Sequence, residues 1–321
     1  MALAYDIERH PSLEALESDP HRRALLRLLS DYSTETTPGH ARRIADYRAL
    51  LDTGRQVNVT FLPGSDFADT IATAKRLKAE GFRPVPHVAA RAIPSTTALH
   101  DMLAKLQDEA GVDEVLAIAG GTDRPAGPFS GSMDMLETGL FERHGIRRIA
   151  VAGHPEGSPD ISDRALAEAL ARKNAYAADT GSTLYLTTQF CFEAAPVIDW
   201  SRRLADEGNL LPIRIGIPGP ATVKALANYA RLCGIGPSAR ILKRQMRNIT
   251  KLMTVSAPVR LVTELALHTA AQPGSQIAGV HVFPLGGLEP MSRWLDSILA
   301  GQFEMHPDLR GFSLRKPALR G

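Results

Sequence analysis

Several polar side chains that could carry acid–base chemistry stand at the ends of apolar runs in the sequence. Glu35 follows the first such run, His87 lies in the third, His154 follows the fifth and Gln189 lies near the end of the sixth. A carboxyl group and imidazoles can move protons, and an amide can donate and accept hydrogen bonds at a polar ring. The same residue types also serve as helix caps or core hydrogen-bonding groups, so their chemistry depends on whether the fold brings them together.

Glycines follow the fourth apolar run, where the sequence reads Gly120-Gly121-Thr122-Asp123. Because glycine lacks a Cβ, a flat ligand or a phosphate can approach the backbone there, although the same residues could form only a tight turn.

His87, His154 and Glu156 are candidate metal ligands. We predict no metal, because the sequence has no His-x-His pair and no paired carboxylates at metal-binding spacing.

The elements that must position these residues alternate between strand-like and helix-like segments. Eight βα units favour a closed (β/α)₈ TIM barrel, in which the carboxyl ends of all strands meet at one mouth. An open doubly wound sheet is disfavoured, because the turn at residues 35–40 lacks the sequence Gly-x-Gly-x-x-Gly. The predicted strands are Leu29–Thr34, Val57–Leu62, Pro84–Ala89, Glu114–Ala119, Arg148–Ala152, Thr183–Phe190, Leu211–Ile217 and Gly279–Leu285.

Amphipathic stretches between these strands predict the helices of the barrel. Residues 1–28 are predicted to form an N-terminal helical extension, and residues 29–321 a single barrel domain. The stretch Ile241–His268 is longer than one helix needs and predicts an additional helix pair. The predicted helices are Ala41–Leu51, Asp69–Glu80, Thr97–Glu109, Asp163–Ala178, Ala195–Glu207, Ala221–Cys233 and Met291–Leu299.

The composition is that of a globular protein without a strongly charged partner. Of 321 residues, 44% are hydrophobic, and 37 basic residues nearly balance 35 acidic ones. We therefore expect no nucleic acid among its partners. Two cysteines, Cys191 and Cys233, exclude a disulfide scaffold. The N-terminus lacks a signal-peptide core, and polar residues interrupt the longest uncharged stretch, Leu265–Leu288, so we expect a cytoplasmic protein with no membrane span.

Two motifs at strand ends carry a resemblance to a known family. Residues 152–159, AGHPEGSP, are similar to the pattern A-[AG]-Y-P-E-x-H-P, and residues 188–192, TQFCF, are similar to T-Q-F-F-F. Residues 33–38, 59–61 and 86–88 add weaker matches to S-F-E-F-F-P-P, V-T-Y and P-H-L. From about Tyr32 to Leu299 the chain resembles the methylenetetrahydrofolate reductase family, flavoproteins built on a (β/α)₈ barrel.

The resemblance implies an FAD-dependent enzyme that interconverts 5,10-methylenetetrahydrofolate and 5-methyltetrahydrofolate by hydride transfer at flavin N5. NADH or NADPH would be the co-substrate, and the family suggests a homo-oligomer. Glu35 matches the general acid, and an apolar barrel mouth is expected to raise its pKa. Gln189, Gly121 and Phe190 match folate-binding positions. The positions matching flavin contacts are Thr60, His87, Ala119, Gly120, Gly131, His154, Ser158, Arg172 and Lys173.

The Arg172-Lys173 pair also has a physical rationale, because the pyrophosphate of a dinucleotide needs cationic donors. Taken without the resemblance, the same pair is typical of a solvated helix face.

Two flavin-free functions also remain open from the sequence. One is a folate-binding methyltransferase or its partner protein, and the other is a folate-binding barrel that regulates an enzyme. Both would leave the purified protein colourless.

The chain departs from the family pattern at several site positions. Residues 118–121 read IAGG where the family has L-R-G-D, so Gly121 replaces an aspartate, and Asp123 stands two residues further on. His154 replaces a tyrosine, Ser158 stands where a histidine is lost, and the arginine of an L-N-R run is absent from residues 285–287.

The missing charge at Gly121 predicts a change in flavin potential. Without a carboxylate beside the ring, the anionic reduced flavin forms more easily, so the potential rises and oxidation of 5-methyltetrahydrofolate is favoured. The test is the midpoint potential of the bound flavin. A value no higher than that of an aspartate-containing relative would contradict this hypothesis.

Overall fold

Eight parallel strands close into a barrel, which confirms the predicted (β/α)₈ fold. The computed structural model describes residues 19–62, 64–158, 161–232 and 255–315. Around the barrel the strand order is β1-β10-β7-β6-β5-β4-β3-β2, and two short antiparallel pairs, β8–β9 and β11–β12, lie outside it. The strands are β1 Ser33–Thr36, β2 Gln56–Val59, β3 Arg83–Ala89, β4 Glu114–Ile118, β5 Arg148–Gly153, β6 Thr183–Phe190, β7 Ile213–Pro218, β8 Ala221–Thr222, β9 Val255–Ser256, β10 Ile277–Phe283, β11 Phe303–Met305 and β12 Phe312–Leu314.

Helices surround the barrel, and several begin and end on local signals. The side chains of Asp66, Ser95 and Ser162 accept hydrogen bonds from backbone N–H groups in the first turns of α3, α4 and α7, and Gly111 and Gly181 end the latter two in the left-handed conformation. The helices are α1 Pro20–Ser30, α2 Pro38–Ala41, α3 Phe67–Ala79, α4 Thr96–Ala110, α5 Ser132–Leu136, α6 Leu140–Arg143, α7 Asp163–Thr180, α8 Ala194–Asp206, α9 Val223–Leu232, α10 Val259–Ala271 and α11 Leu288–Leu299.

The interior of the barrel has an apolar ring above a polar floor. Val85, Leu116, Ala150 and Tyr185 pack together inside the barrel, apart from the larger core between the strands and the helices. Below them lies Glu114, which is 2% exposed. Its carboxylate accepts hydrogen bonds from Tyr185 Oη at 2.8 Å and from the residues Gln56 Nε2, Arg83 NH2 and Arg148 Nε at 3.1–3.2 Å. The floor is therefore closed by a satisfied network around one carboxylate.

The predicted first strand, Leu29–Thr34, begins too early. Leu29 is fully buried in α1, which continues to Ser30, and β1 starts at Ser33. Leu25, Leu26 and Leu29 lie at helical spacing, and they bury one face of α1. An apolar run of this length does not distinguish a buried strand from the end of a buried helix.

The predicted helix Ala41–Leu51 does not form. The chain makes the short helix α2 and a 3₁₀ turn at Tyr47–Ala49 instead. The Arg76 guanidinium donates hydrogen bonds to the carbonyl oxygens of Ala41, Ile44 and Ala45 at 2.7–3.0 Å. These carbonyls are therefore satisfied by a side chain of α3 rather than by a continued helix.

Parts of four predicted segments lie outside the described residues. These are residues 1–18 of the N-terminal extension, Cys233 at the end of the predicted helix Ala221–Cys233, residues 241–254 of the additional helix pair and residues 316–321 of the predicted barrel domain. Within the described parts, α1 covers Pro20–Ser30, and α10 covers Val259–Ala271. No helix in the described ranges is long and apolar enough to cross a membrane.

Replacing Glu114 tests the polar floor. Glu114→Gln should lower the free energy of unfolding by about 3 kcal/mol, because it removes the buried charge that Arg83 and Arg148 face and disturbs the Tyr185 and Gln56 hydrogen bonds. The exposed i,i+4 pair of Glu289 with Arg293 provides the control, and Glu289→Gln should change stability by about 0.5 kcal/mol or less. Urea unfolding followed by circular dichroism measures both, and equal losses would contradict the role given to Glu114.

Candidate active site

The carboxyl ends of β1 and β10 bring a carboxylate and an imidazole together at the barrel mouth. The parallel pairing sets Ser33 opposite His281, and Glu35 follows two residues later on the same face of β1. His281 Nε2 lies 3.6 Å from Glu35 Oε2, and His281 Nδ1 lies 2.9 Å from Ser33 Oγ. The Glu35 side chain is 19% exposed and that of His281 2%, so Glu35 is the member of the pair that reaches the mouth.

His87 and Asn58 stand beside this pair on the neighbouring strands. Asn58 is paired with Glu35 across β1 and β2, and its Nδ2 lies 3.4 Å from His87 Nε2. Within the described part of the chain, Asn58 Oδ1 has no hydrogen-bond partner, whereas the Thr60 hydroxyl, just beyond β2, interacts with the Glu35 carboxylate. The Asn58 oxygen is therefore available to a polar ligand that enters the mouth.

The pKa of Glu35 differs from the sequence expectation. Burial is the largest single influence and raises the pKa of this carboxyl, but the His281 imidazole, His87 and the Thr60 hydroxyl together outweigh it, so the pKa lies below the usual value. The expectation of a raised pKa was wrong because it considered burial without the neighbour that barrel closure supplies.

His87 is an uncharged group at neutral pH. It is 7% exposed, and burial lowers its pKa to about 4, partly opposed by the Glu35 carboxylate. At pH 7 the imidazole therefore carries one ring proton and can act as a hydrogen-bonding group without charge.

The glycine loop after β4 is held by Arg91. The Arg91 backbone N–H donates to Ala119 O at 2.8 Å, and its guanidinium donates to Thr122 O at 3.2 Å and Ser130 O at 3.0 Å. Gly120 adopts φ +93, and a Cβ there would lie 3.1 Å from Ala89 Cβ. This position therefore requires glycine.

The remaining predicted residues of this loop differ in their surroundings. Gly121 and Asp123 are exposed. Gly131 precedes α5, its backbone N–H donates to Asp134 Oδ2 at 3.0 Å, and the space around its Cα is open. Beyond Gly120 the loop is therefore largely exposed to solvent.

An irregular pairing at the end of β6 shapes another part of the mouth. The register between β6 and β7 shifts between Thr187 and Phe190. Gln189 is exposed there, whereas Phe190 is 2% exposed and packs edge-on against Phe283, with ring centroids 5.2 Å apart. A Cβ on Gly216 would lie 2.5 Å from Thr188 O, so the irregularity depends on this glycine.

The two cations predicted to bind a pyrophosphate, Arg172 and Lys173, lie on different surfaces of α7. Arg172 is half-exposed and makes a bidentate ion pair with Glu137, at 2.7 and 3.1 Å, beside a cavity of about 350 Å³ between the helices. Lys173 is 7% exposed and donates to Ala152 O at 2.9 Å. Adjacent helix positions do not share a face, which explains the division.

Burial also perturbs the groups near the end of β5. It lowers the pKa of Lys173 to about 8 and, together with the Lys173 charge, lowers the pKa of His154 to about 4. His154 and Ser158 are half-buried in the segment after β5. The three side chains therefore lie at the same strand end, away from the Glu35–His281 pair on β1 and β10.

His281 and Asn58 are site residues that the sequence reasoning missed. Each is a polar residue within an apolar run, and each is more than nine-tenths buried. Val280 and Val282 flank His281, so strand alternation alone places its side chain on the barrel interior. A search for polar residues inside the predicted strands, as well as after them, would have found both.

The comparisons with known proteins support the fold. No protein-family model matches the chain. An uncharacterised protein from Clostridium thermocellum, which binds two copies of 5-methyl-5,6,7,8-tetrahydrofolic acid, is 13% identical, with a TM-score of 0.51 over 86% of this chain and 98% of its own. At this identity the likeness shows the barrel fold alone.

Two further solved structures are more distantly similar. A 2,3-dimethylmalate lyase of the PEP mutase/isocitrate lyase superfamily is 12% identical, with a TM-score of 0.42 over 90% of this chain and 86% of its own. A family 18 chitinase from Crocus vernus is 10% identical, with a TM-score of 0.44 over 82% of this chain and 94% of its own.

The depressed pKa of His87 predicts a pH dependence of stability. The unfolded chain binds a proton at His87 near pH 6.5, whereas the folded chain binds it only near pH 4. The contribution of His87 to the free energy of unfolding is therefore complete above pH 6.5 and is lost as the pH falls toward 4. Between pH 7 and pH 5 this loss is about 2 kcal/mol. Urea unfolding should show that His87→Gln loses about 2 kcal/mol less unfolding free energy between pH 7 and pH 5 than the wild type does, whereas exposed His306→Gln should lose as much as the wild type. The same dependence of unfolding free energy on pH in all three proteins would contradict the assignment.

Proposed function

We propose that this protein binds a reduced folate in the barrel mouth and interconverts 5,10-methylenetetrahydrofolate and 5-methyltetrahydrofolate with bound FAD. The observation that carries the proposal is the Glu35–His281 contact at the end of the barrel where ligands bind in this fold. The order of the strand-end motifs supports the folate, as does the methyltetrahydrofolate bound by the Clostridium thermocellum protein. The proposed enzyme belongs to the methylenetetrahydrofolate reductase class.

The chemistry of the proposed substrate requires a proton at the mouth. Opening the five-membered ring of methylenetetrahydrofolate transfers a proton to the departing nitrogen, and the reverse reaction removes it. Glu35 can serve in both directions because its carboxylate reaches the mouth while its other side contacts His281. The exposed Gln189 amide can donate to and accept from the edge of a pterin ring, and Gly121 leaves room beside it.

The residues near the mouth fit the ring of a flavin. The unpartnered Asn58 Oδ1, the Thr60 hydroxyl and the uncharged His87 would hydrogen-bond its polar edge. The Gly120 backbone would lie against the ring, since no Cβ intervenes. Bound FAD would supply the hydride chemistry at N5, with NADH or NADPH as the proposed co-substrate.

The two cations proposed for the pyrophosphate lie on different surfaces of α7, so they do not converge on one phosphate group in this structure. Exchanging the exposed Glu137 partner of Arg172 for a phosphate costs little, because exposed ion pairs contribute about 0–1 kcal/mol. Burial lowers the pKa of Lys173 to about 8, so a neighbouring phosphate would stabilise its charged form. Oxidation of methyltetrahydrofolate as the favoured direction, and a homo-oligomeric state, remain part of the proposal.

A flavin-free folate-binding protein is the second candidate. Its supporting observation is that Arg172 and Lys173 already have partners, Glu137 and Ala152 O, in the same structure. In this function the mouth would hold only a folate, as a methyltransferase or as a regulatory barrel. The two candidates differ in FAD binding and agree in folate binding.

Glu35→Gln, together with FAD titration, tests the proposal. Wild-type protein should bind FAD, turn yellow and be bleached by NADH, NADPH or 5-methyltetrahydrofolate. Glu35→Gln should retain FAD binding and reduction by the nicotinamide while losing at least about 100-fold in methylenetetrahydrofolate turnover, because the amide cannot carry the proton. Exposed Glu289→Gln on α11 should behave as wild type.

Three other outcomes would each lead to a definite conclusion. A protein that binds folate but remains colourless with FAD would support the flavin-free candidate. A protein that binds neither ligand would overturn both functions. Loss of FAD binding together with turnover in Glu35→Gln would make Glu35 a structural residue.

A further inference from the structure

His281 lies between Ser33 and Glu35 and is shut off from solvent by its surroundings. Its two ring nitrogens contact Ser33 Oγ at 2.9 Å and Glu35 Oε2 at 3.6 Å. The Phe283 ring packs against the imidazole in a T-shaped arrangement, with ring centroids 4.9 Å apart and planes at 88°. His281 and Ser33 are 1% exposed, whereas the Glu35 side chain is 19% exposed. Glu35 is therefore the route by which a proton on this imidazole reaches the mouth.

The other groups facing the pair do not provide a second source of protons. His87, on β3, is the titratable group that interacts electrostatically with both members, and burial lowers its pKa to about 4, so it is neutral at pH 7. Asn58 and Thr60, on and just after β2, are uncharged, and Ser33 does not titrate in this range. Glu35 and His281 are therefore the two groups of this cluster that can exchange a proton with a ligand.

We propose that Glu35 and His281 act as one proton-carrying pair, in which the buried imidazole stores the proton that Glu35 passes to a ligand in the mouth. Ser33 orients the ring by its contact with Nδ1. The ligand is the reduced folate of the proposed function, and in this respect the inference rests on that proposal. His281 is thus a positioning residue that acts through Glu35.

The proton transfers balance in both directions. When the folate ring opens, the His281 Nε2–H bond breaks as a Glu35 O–H bond forms, and the Glu35 proton passes to the departing nitrogen. The pair is left as a carboxylate and a neutral imidazole, and water at the mouth returns one proton through Glu35. In the oxidation of methyltetrahydrofolate, the nitrogen returns its proton to Glu35 and then to His281. No oxidant or reductant takes part in these steps.

Difference infrared spectroscopy on protein labelled with ¹³C-glutamate tests the pair without cofactor or substrate. Wild-type protein near neutral pH should lack the carbonyl band of a protonated Glu35, because the proton resides on His281. His281→Gln removes the neighbour and keeps the burial, so the band should appear, and Glu35→Gln in the same chain should abolish it. The control is exposed His306→Gln, which breaks a similar His–Ser contact of 2.8 Å and should leave the spectrum unchanged. Absence of the band in His281→Gln would overturn the proposal.

Turnover gives a second measurement that separates this inference from the proposed function. His281→Gln should lower kcat at least about 10-fold with KM for folate within about 3-fold, and should change the pH profile of kcat. Ser33→Ala keeps the imidazole, so it should shift the pH profile of kcat in the same direction as His281→Gln but by a smaller amount. This variant keeps the inference testable if His281→Gln does not fold. Unchanged profiles in both variants would overturn the pair. If wild-type protein shows no folate turnover, the proposed function fails, while the infrared result still decides the inference.

Discussion

The parallel pairing of β1 with β10 is the constraint on which the mouth of this barrel depends. It joins the first and the last strands of the barrel, with Ser33 opposite His281 and Thr34 opposite Val282. In an open sheet β1 would be an edge strand, and Glu35 would lack the contact with His281. Closure therefore determines both the position of the carboxylate and its protonation, since the partner that lowers its pKa comes from the last barrel strand.

The barrel interior separates two polar groups that have different roles. Glu114 and its partners close the floor, where each carboxylate oxygen accepts hydrogen bonds from neighbouring strands. Val85, Leu116 and Ala150 lie between this floor and the mouth. The apolar ring therefore separates the floor network from Glu35 and His281.

Long-range contacts also decide how the helical exterior is built. Arg76 on α3 donates hydrogen bonds to the carbonyl groups of residues 41, 44 and 45, and the amphipathic segment there does not form a helix. On α7, neighbouring cations have different surroundings: Arg172 pairs with Glu137 at the surface, whereas Lys173 is buried against the end of β5. In both places the side chains contact elements that are remote in sequence, and those contacts outweigh the local pattern.

The sequence by itself determined the repeating βα units and the polar residues near the strand ends, such as Glu35 and His87. Apolar runs and helix caps are local signals, and parallel strands of a barrel always present their carboxyl ends to one mouth. Only the tertiary structure decided that His281 contacts Glu35, that the pKa of Glu35 falls, and that Arg172 faces Glu137. These features depend on distances between residues far apart in the chain. Electrostatic effects of this kind follow separation and burial, which no local pattern contains.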